Sequence, residues 1–168
     1  MNKLNIRRFP PLEYAASEAV NTLCTNLSFS GENVKRIMFT SCHAAEGKSF
    51  MAMNVMRSMA RLGKRVVLVE ADLRRGMIAS RYGIRFETEK RGLAHYLAGM
   101  ATENEIVYAT DINGAYMVPV GRTVSNSLQL LVSPHFKELL NSLARKMDYV
   151  IVDAPPLGLL IDAAEIAK

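Results

Sequence analysis

Apolar positions along the chain follow two alternating rhythms. Over residues 12–27, Ala15, Ala19, Val20, Leu23 and Leu27 return at the spacing of one helix face, and residues 28–32, with Gly31, break the pattern. Residues 34–40 (VKRIMFT) form a short β-rich segment. Helical spacing resumes over 47–62, with Met51, Val55, Met59 and Leu62 on one side and Gly63 as the stop. Residues 65–70 (RVVLVE) are apolar at successive positions, as a parallel strand covered on both faces requires. The middle reads as short helices at 92–98 and 103–108 and a strand at 115–120. Residues 134–146 (PHFKELLNSLARK) predict a helix with Pro134 in its first turn, and 149–152 a buried strand running into Asp153, Pro155 and Pro156. Strands alternating with helices predict an α/β fold, a mostly parallel central sheet with helices on both faces. A last helix is expected to begin near residue 161. The strands so counted are fewer than a doubly wound domain carries, so the expectation is a single domain over 1–168, truncated at its C-terminus with further strands missing.

Composition narrows the class. A chain of 168 residues, 49% hydrophobic and 22% charged, can bury a core without disulfides or metals. Its two cysteines, Cys24 and Cys42, form no spaced framework and read as free thiols in a reducing compartment. No apolar run reaches the roughly 20 residues of a membrane-spanning helix, and the first residues (MNKLNIRRFPPLEY) lack the apolar stretch of a secretion signal. The expected location is the cytoplasm. The net charge of +5 attracts polyanions without choosing among them, and the basic residues are spread as on a solvated surface, so no specific nucleic-acid partner is expected.

Chemistry concentrates where the first central strand turns into a helix, in Ser41-Cys42-His43-Ala44-Ala45-Glu46-Gly47-Lys48-Ser49. Loop amides and a helix N-terminus converge there on one point, which suits a phosphate chain. Gly47 lets the backbone approach, Lys48 brings a point charge to the β- and γ-phosphates of ATP or to the β-phosphate of ADP, and the Ser49 hydroxyl can join the coordination of magnesium. The strict GxxxxGK(S/T) string fails at its first position, which is Cys42. Two distant features reinforce the reading. Asp153 ends a buried strand, where a second magnesium-binding carboxylate belongs, and Glu70, Asp72 and Arg74 follow another strand at the carboxyl edge, where open α/β sheets bind ligands. The candidate nucleotide contacts are Ala45, Glu46, Gly47, Lys48, Ser49, Phe50 and Arg74; the candidate metal ligands are Ser49, Asp72 and Asp153. The remaining loop residues and the ten methionines read as solvent-facing and core positions.

The segments FTSCHAAEGKS, VVLVEADLRR and DYVIVDAPP, in that order, resemble the Walker A, A′ and B motifs of the bacterial tyrosine kinases of capsule and exopolysaccharide biosynthesis, relatives of the ParA/MinD ATPases. EAVNTLCTNLSFSG, RGLAHYLAG and SPHFKELLNSLARKMDYVIVDAPP extend the similarity over nearly the whole chain. The resemblance implies a P-loop fold, ATP-dependent phosphorylation of tyrosine, magnesium, and activation by a membrane adaptor of the polysaccharide co-polymerase type, peripheral at the inner face of the cell membrane. It implies Walker A roles for Lys48 and Ser49, A′ roles for Glu70, Asp72 and Arg74, and a Walker B role for Asp153, so the catalytic set is Lys48, Glu70, Asp72 and Asp153. Departures from the family pattern are also visible. Ala44 and Ala45 stand where Pro-Gly is usual, and Glu70 where Asp is usual. In the first helix Glu18 is followed by Asn21 and Cys24 instead of the arginines that pack subunits into a ring, so a homo-oligomer would lack that charge pairing. The alternatives are a catalytically weakened or inactive ATPase switch of the ParA/MinD kind, against which His43 stands where those proteins carry a lysine, and a nucleotide-controlled binder of DNA or anionic lipid.

Overall fold

A computed structural model describes residues 2–31 and 34–156. Seven strands and seven helices alternate along them: β1 (Asn2–Ile6), α1 (Tyr14–Ser28), β2 (Arg36–Phe39), α2 (Lys48–Arg61), β3 (Val66–Glu70), α3 (Ile78–Arg81), β4 (Ile84–Phe86), α4 (Leu93–Leu97), α5 (Glu103–Ile106), β5 (Tyr108–Ala109), β6 (Ala115–Val118), α6 (Ser127–Leu131), α7 (Pro134–Lys146) and β7 (Tyr149–Asp153). The sheet order is β2-β7-β3-β6-β5-β1-β4. Pairings β2·β7, β7·β3, β3·β6 and β1·β5 are parallel; β1·β4 and β5·β6 are antiparallel. The expected mostly parallel α/β sheet is therefore present, and it is wider than the sequence pattern suggested. The helix foreseen near residue 161 lies outside the described residues.

The sheet divides the interior in two. On β3, Val66 and Leu68 face one core while Val67 and Val69 face the other; Tyr149 and Ile151 of β7 share the first, Val150 and Val152 the second. This is the period-2 geometry of a strand acting on a run with no polar member, and it explains why RVVLVE shows no alternation. The first core is closed by α1 and α2 through Val20, Cys24, Met53, Met56 and Met59, all buried; the second by α4, α6 and α7 through Leu93, Leu97, Leu131, Leu139 and Leu143. The methionines of α2 thus fill core space.

The short elements had little sequence signal. β1 buries only Leu4 and Ile6, too few positions for a pattern, and β4 and β5 are three and two residues long.

Candidate nucleotide-binding site

β2, β3 and β7 end together, and register fixes what meets there. Phe39 lies opposite Asp153, and Asp153 opposite Glu70, so the loops after the three strands start from one edge. Backbone bonds hold the frame: Ala71 N–H donates to Asp153 O at 2.9 Å, and Ala154 N–H to Phe39 O at 2.9 Å. The Thr40 hydroxyl donates to Pro155 O at 2.9 Å, pinning the start of the phosphate loop to the segment after β7.

The loop itself is a tight, partly self-satisfied turn. Ser41 Oγ donates to His43 O at 2.7 Å, and the Glu46 carboxylate accepts from His43 N at 3.1 Å and faces His43 Nδ1 at 3.2 Å. The bond from the His43 backbone amide holds the Glu46 carboxyl below its ordinary range. Ala45 takes φ +67°, the sole positive φ outside glycine among the described residues, and Gly47 takes +89° as the N-cap of α2. A left-handed Ala costs about 1–2 kcal/mol, so the loop reaches the phosphate-binding shape at an expense that glycine would avoid.

Lys48, the first residue of α2, points across the cleft. Its Nζ stands 3.4 Å from Ser49 Oγ, 3.7 Å from Asp72 Oδ2 and 3.8 Å from Asp153 Oδ1. Asp153 is buried, and its Oδ1 has no hydrogen-bond partner among the described residues, because 3.8 Å is beyond the reach of a bond. Burial pushes the Asp153 carboxyl above its usual range, against the opposing pull of Lys48. Asp72 is steadied by the turn it heads: its Oδ1 accepts from Arg75 N at 3.2 Å and its carbonyl from Gly76 N at 3.0 Å. A cavity of ≈ 270 Å³ opens beside this cluster, walled by the phosphate loop on one side and by Arg75, Met77, Ile78 and Arg81 on the other.

Glu70 also borders the cavity, yet both its oxygens are engaged. Oε1 accepts from Ile78 N at 2.8 Å and Oε2 from Val120 N at 3.1 Å, so the carboxylate braces the start of α3 and the segment after β6. Burial raises its pKa from 4.5 to about 7, more than the two backbone bonds lower it. A carboxyl whose folded pKa is raised stabilises the fold below its unfolded value, and this contribution is lost as pH climbs through the folded one. Stability against urea should therefore fall between about pH 4.5 and pH 7, by up to about 3 kcal/mol for a shift of that size. Glu70→Gln should flatten that slope; an unchanged slope in the variant would assign it to other groups.

Of the residues singled out from sequence, the structure gathers Ala45, Gly47, Lys48, Ser49, Glu70, Asp72 and Asp153 around the cavity. Three lie elsewhere. Arg74 is exposed and is not among the residues that line the cavity, whereas its neighbour Arg75 is. The Glu46 side chain turns back onto its own loop. Phe50, one residue beyond Ser49 on α2, faces a neighbouring cavity with Arg8, Phe9, Pro10, Arg81 and Tyr82. The sequence reading missed Arg75, Met77, Ile78, Arg81 and Pro156. Arg75 stands beside the arginine that the motif pointed to, and Arg81 carried no motif.

A parallel sheet, a loop–helix turn tipped by Lys48 and Ser49, and carboxylates from two adjacent strands define a P-loop nucleotide-binding domain, and residues 34–167 match the family model described as an AAA domain. The chain belongs to that family, and the proteins it is similar to include tyrosine-protein kinases. It is 35% identical over 153 residues to the tyrosine-protein kinase CpsD of Streptococcus pneumoniae, an alignment that covers 91% of this chain and 66% of that protein. The kinase domain of the Escherichia coli tyrosine kinase ETK superposes with a TM-score of 0.82 at 30% identity, over 90% of this chain and 59% of that one. The septum site-determining protein MinD of Pyrococcus horikoshii, solved with Mg-ADP, shares the fold at a TM-score of 0.65 and 23% identity, over 79% of this chain and 53% of its own. The chain thus spans just under two thirds of the pneumococcal relative's length. Among the described residues no helix is long and apolar enough to cross a membrane.

Proposed function

We propose that the domain binds ATP and magnesium and transfers the γ-phosphoryl group to tyrosine, in the service of capsule or exopolysaccharide synthesis, under a membrane adaptor of the polysaccharide co-polymerase type. The observation that carries the reading is the placement of the Lys48 ammonium within 3.8 Å of Ser49, Asp72 and Asp153 at the N-terminus of α2. Lys48 and the loop amides of Ala45 and Gly47 would hold the phosphate chain, with Arg75 and Arg81 on the far wall. The buried Asp153 Oδ1 without a partner suits a cation, and Ser49 and Asp72 complete a set of hard oxygen donors. No group of three His, Cys, Asp or Glu is gathered into a metal site among the described residues, which agrees with a magnesium that keeps waters and phosphate oxygens as its other ligands. Magnesium in that place would neutralise charge on the transferring group. The acceptor's phenolic oxygen would bond to the γ-phosphorus as the bond to the β–γ bridging oxygen breaks; ADP leaves with that electron pair, and Asp72 takes the phenolic proton.

A second reading, a nucleotide switch with weakened turnover, is favoured by two particulars: the left-handed Ala45 in the loop and the full engagement of Glu70 by backbone amides. Incubation of the full-length protein with ATP, magnesium and its adaptor, followed by detection of phosphotyrosine, separates the two. Signal is expected. Its absence in a preparation that still binds ADP would leave the switch.

A further inference from the structure

A second, more open cavity lies beside the first, and the phosphate chemistry does not use it. It encloses ≈ 430 Å³ between the β1–α1 connection (Arg8, Phe9, Pro10), the first turn of α2 (Phe50) and the end of α3 (Arg81, Tyr82). Arg81 also lines the phosphate-side cavity, so the two openings share a wall. We propose that this aromatic cavity receives an aromatic side chain of an acidic acceptor peptide, laid across Arg81 so that a neighbouring tyrosine reaches the phosphates. The proposal rests on the kinase reading above for its purpose and on the cavity's own chemistry for its occupant.

Three observations select that occupant. The first is the wall. Phe9 and Tyr82 meet edge to face with centroids 5.4 Å apart and planes at 63°, and Phe50 completes an aromatic lining. A further ring can pack against such a lining with the geometry aromatic pairs prefer. The second is an unused polar group. Tyr82 lines the cavity but is only 2% exposed, and its hydroxyl, closed off from solvent, has no hydrogen-bond partner among the described residues. A buried hydroxyl without a partner is costly, so a shift of the ring on binding that brings it to a ligand carbonyl, carboxylate or phenol recovers an interaction that the free protein forgoes. The third is charge. Arg8 and Arg81 are both exposed at the rim, Arg57 lies behind with its guanidinium 4.0 Å over the Phe9 ring, and no lining residue is acidic. Guanidinium groups on either side of an aromatic slot match carboxylates flanking an aromatic residue, by paired charge-assisted bonds. The backbone fixes the rim, since Arg8 N–H donates to Tyr82 O at 2.9 Å.

The test is direct binding, read by fluorescence anisotropy in the presence of ADP and magnesium, with a dye-labelled random copolymer of Glu and Tyr as probe and a copolymer of Glu and Ala as control. The parent protein should bind the Glu–Tyr polymer at least about fivefold more tightly than the Glu–Ala polymer. Arg8→Ala should weaken the Glu–Tyr complex at least about fivefold. Tyr82→Phe should weaken it about threefold while leaving thermal stability equal or higher, because the substitution deletes a buried group without a partner. Both variants should retain the parent affinity for ADP. Equal binding of the two polymers by the parent overturns the proposal, as does parent-like binding by both variants. A loss of ADP affinity in Arg8→Ala or Tyr82→Phe also overturns it, in favour of a nucleobase in the cavity. Phosphorylation of the Glu–Tyr polymer, measured in the same samples with ATP, separates this inference from the kinase reading. Polymer binding through the cavity without phosphotyrosine keeps the cavity and removes the kinase; phosphotyrosine with variants that bind like the parent does the reverse.

Discussion

Lys48→Ala should lower the affinity for ADP and magnesium at least tenfold, about 1.4 kcal/mol. The ammonium is held among Ser49, Asp72 and Asp153 by contacts of 3.4 to 3.8 Å, too long for tight ion pairs. In the free protein it still offsets the charge of two largely buried carboxylates, so its removal also lowers thermal stability by leaving them facing each other without a cation. With nucleotide in place the same ammonium meets phosphate oxygens in a site partly shielded from water, where a charge-assisted bond is roughly twice as strong as a neutral one. Titration calorimetry on parent and variant measures the difference. An affinity unchanged within twofold would remove the phosphate-binding assignment from this loop.

Gly92→Ala should be among the most damaging substitutions to the fold, although Gly92 lies far from the nucleotide site in sequence. Its backbone is extended, with φ −165°, so any residue could adopt the conformation. Space is what is missing. A Cβ there would fall 2.2 Å from Pro119 O, 2.4 Å from Gly121 N and 2.6 Å from Val120 C, all backbone atoms that cannot swing aside. They are held where they are because Leu93 N–H and Ala94 N–H donate to Pro119 O and Val120 O at 2.7 and 3.0 Å, docking the start of α4 against the segment after β6. Overpacking of this kind costs about 3 kcal/mol or more, or roughly 10 °C in Tm for a chain of this length. Gly99→Ala is the control: φ is +70° there but nothing lies within 4 Å of the added carbon, so only the strain of about 1 kcal/mol remains. Melting curves in which Gly92→Ala and Gly99→Ala fall together would show that the segment after β6 yields.

How far the sequence could be read depended on whether a signal was local. The parallel core strands were legible because burial on both faces demands unbroken apolar runs, and RVVLVE and YVIVD supply them. α7 was found to the residue, with Pro134 at its first turn. Lys48 and Ser49 were legible from the Gly-Lys-Ser string where a loop turns into a helix, and Asp72 and Asp153 because each sits at or just past a strand end, and strand ends in a parallel sheet share an edge. Glu70 was recognised as a carboxylate at that edge but not as a brace, since its partners Ile78 and Val120 offer backbone amides, which no residue type announces. Arg74 was singled out from its place after Asp72, and Arg75 was not, because spacing alone does not reveal how the turn after Asp72 rotates successive side chains. Ala44 and Ala45 were visible as replacements of the usual Pro-Gly; that a left-handed conformation falls on Ala45 and spares Ala44 required coordinates.

The placement of β7 has a consequence for how the domain comes into being. β2, which leads into the phosphate loop, pairs with no strand but β7 among the described residues, and β7 also fills the place between β2 and β3. As the chain leaves the ribosome, the loop, its lysine and its serine emerge early while their sheet partner is still to be made. Pairing across so long a stretch is slow, because the entropy of closing the loop is lost before any contact is gained. The grip on phosphate is therefore acquired in one late step, when Asp153 arrives together with the strand that locks β2 into the sheet.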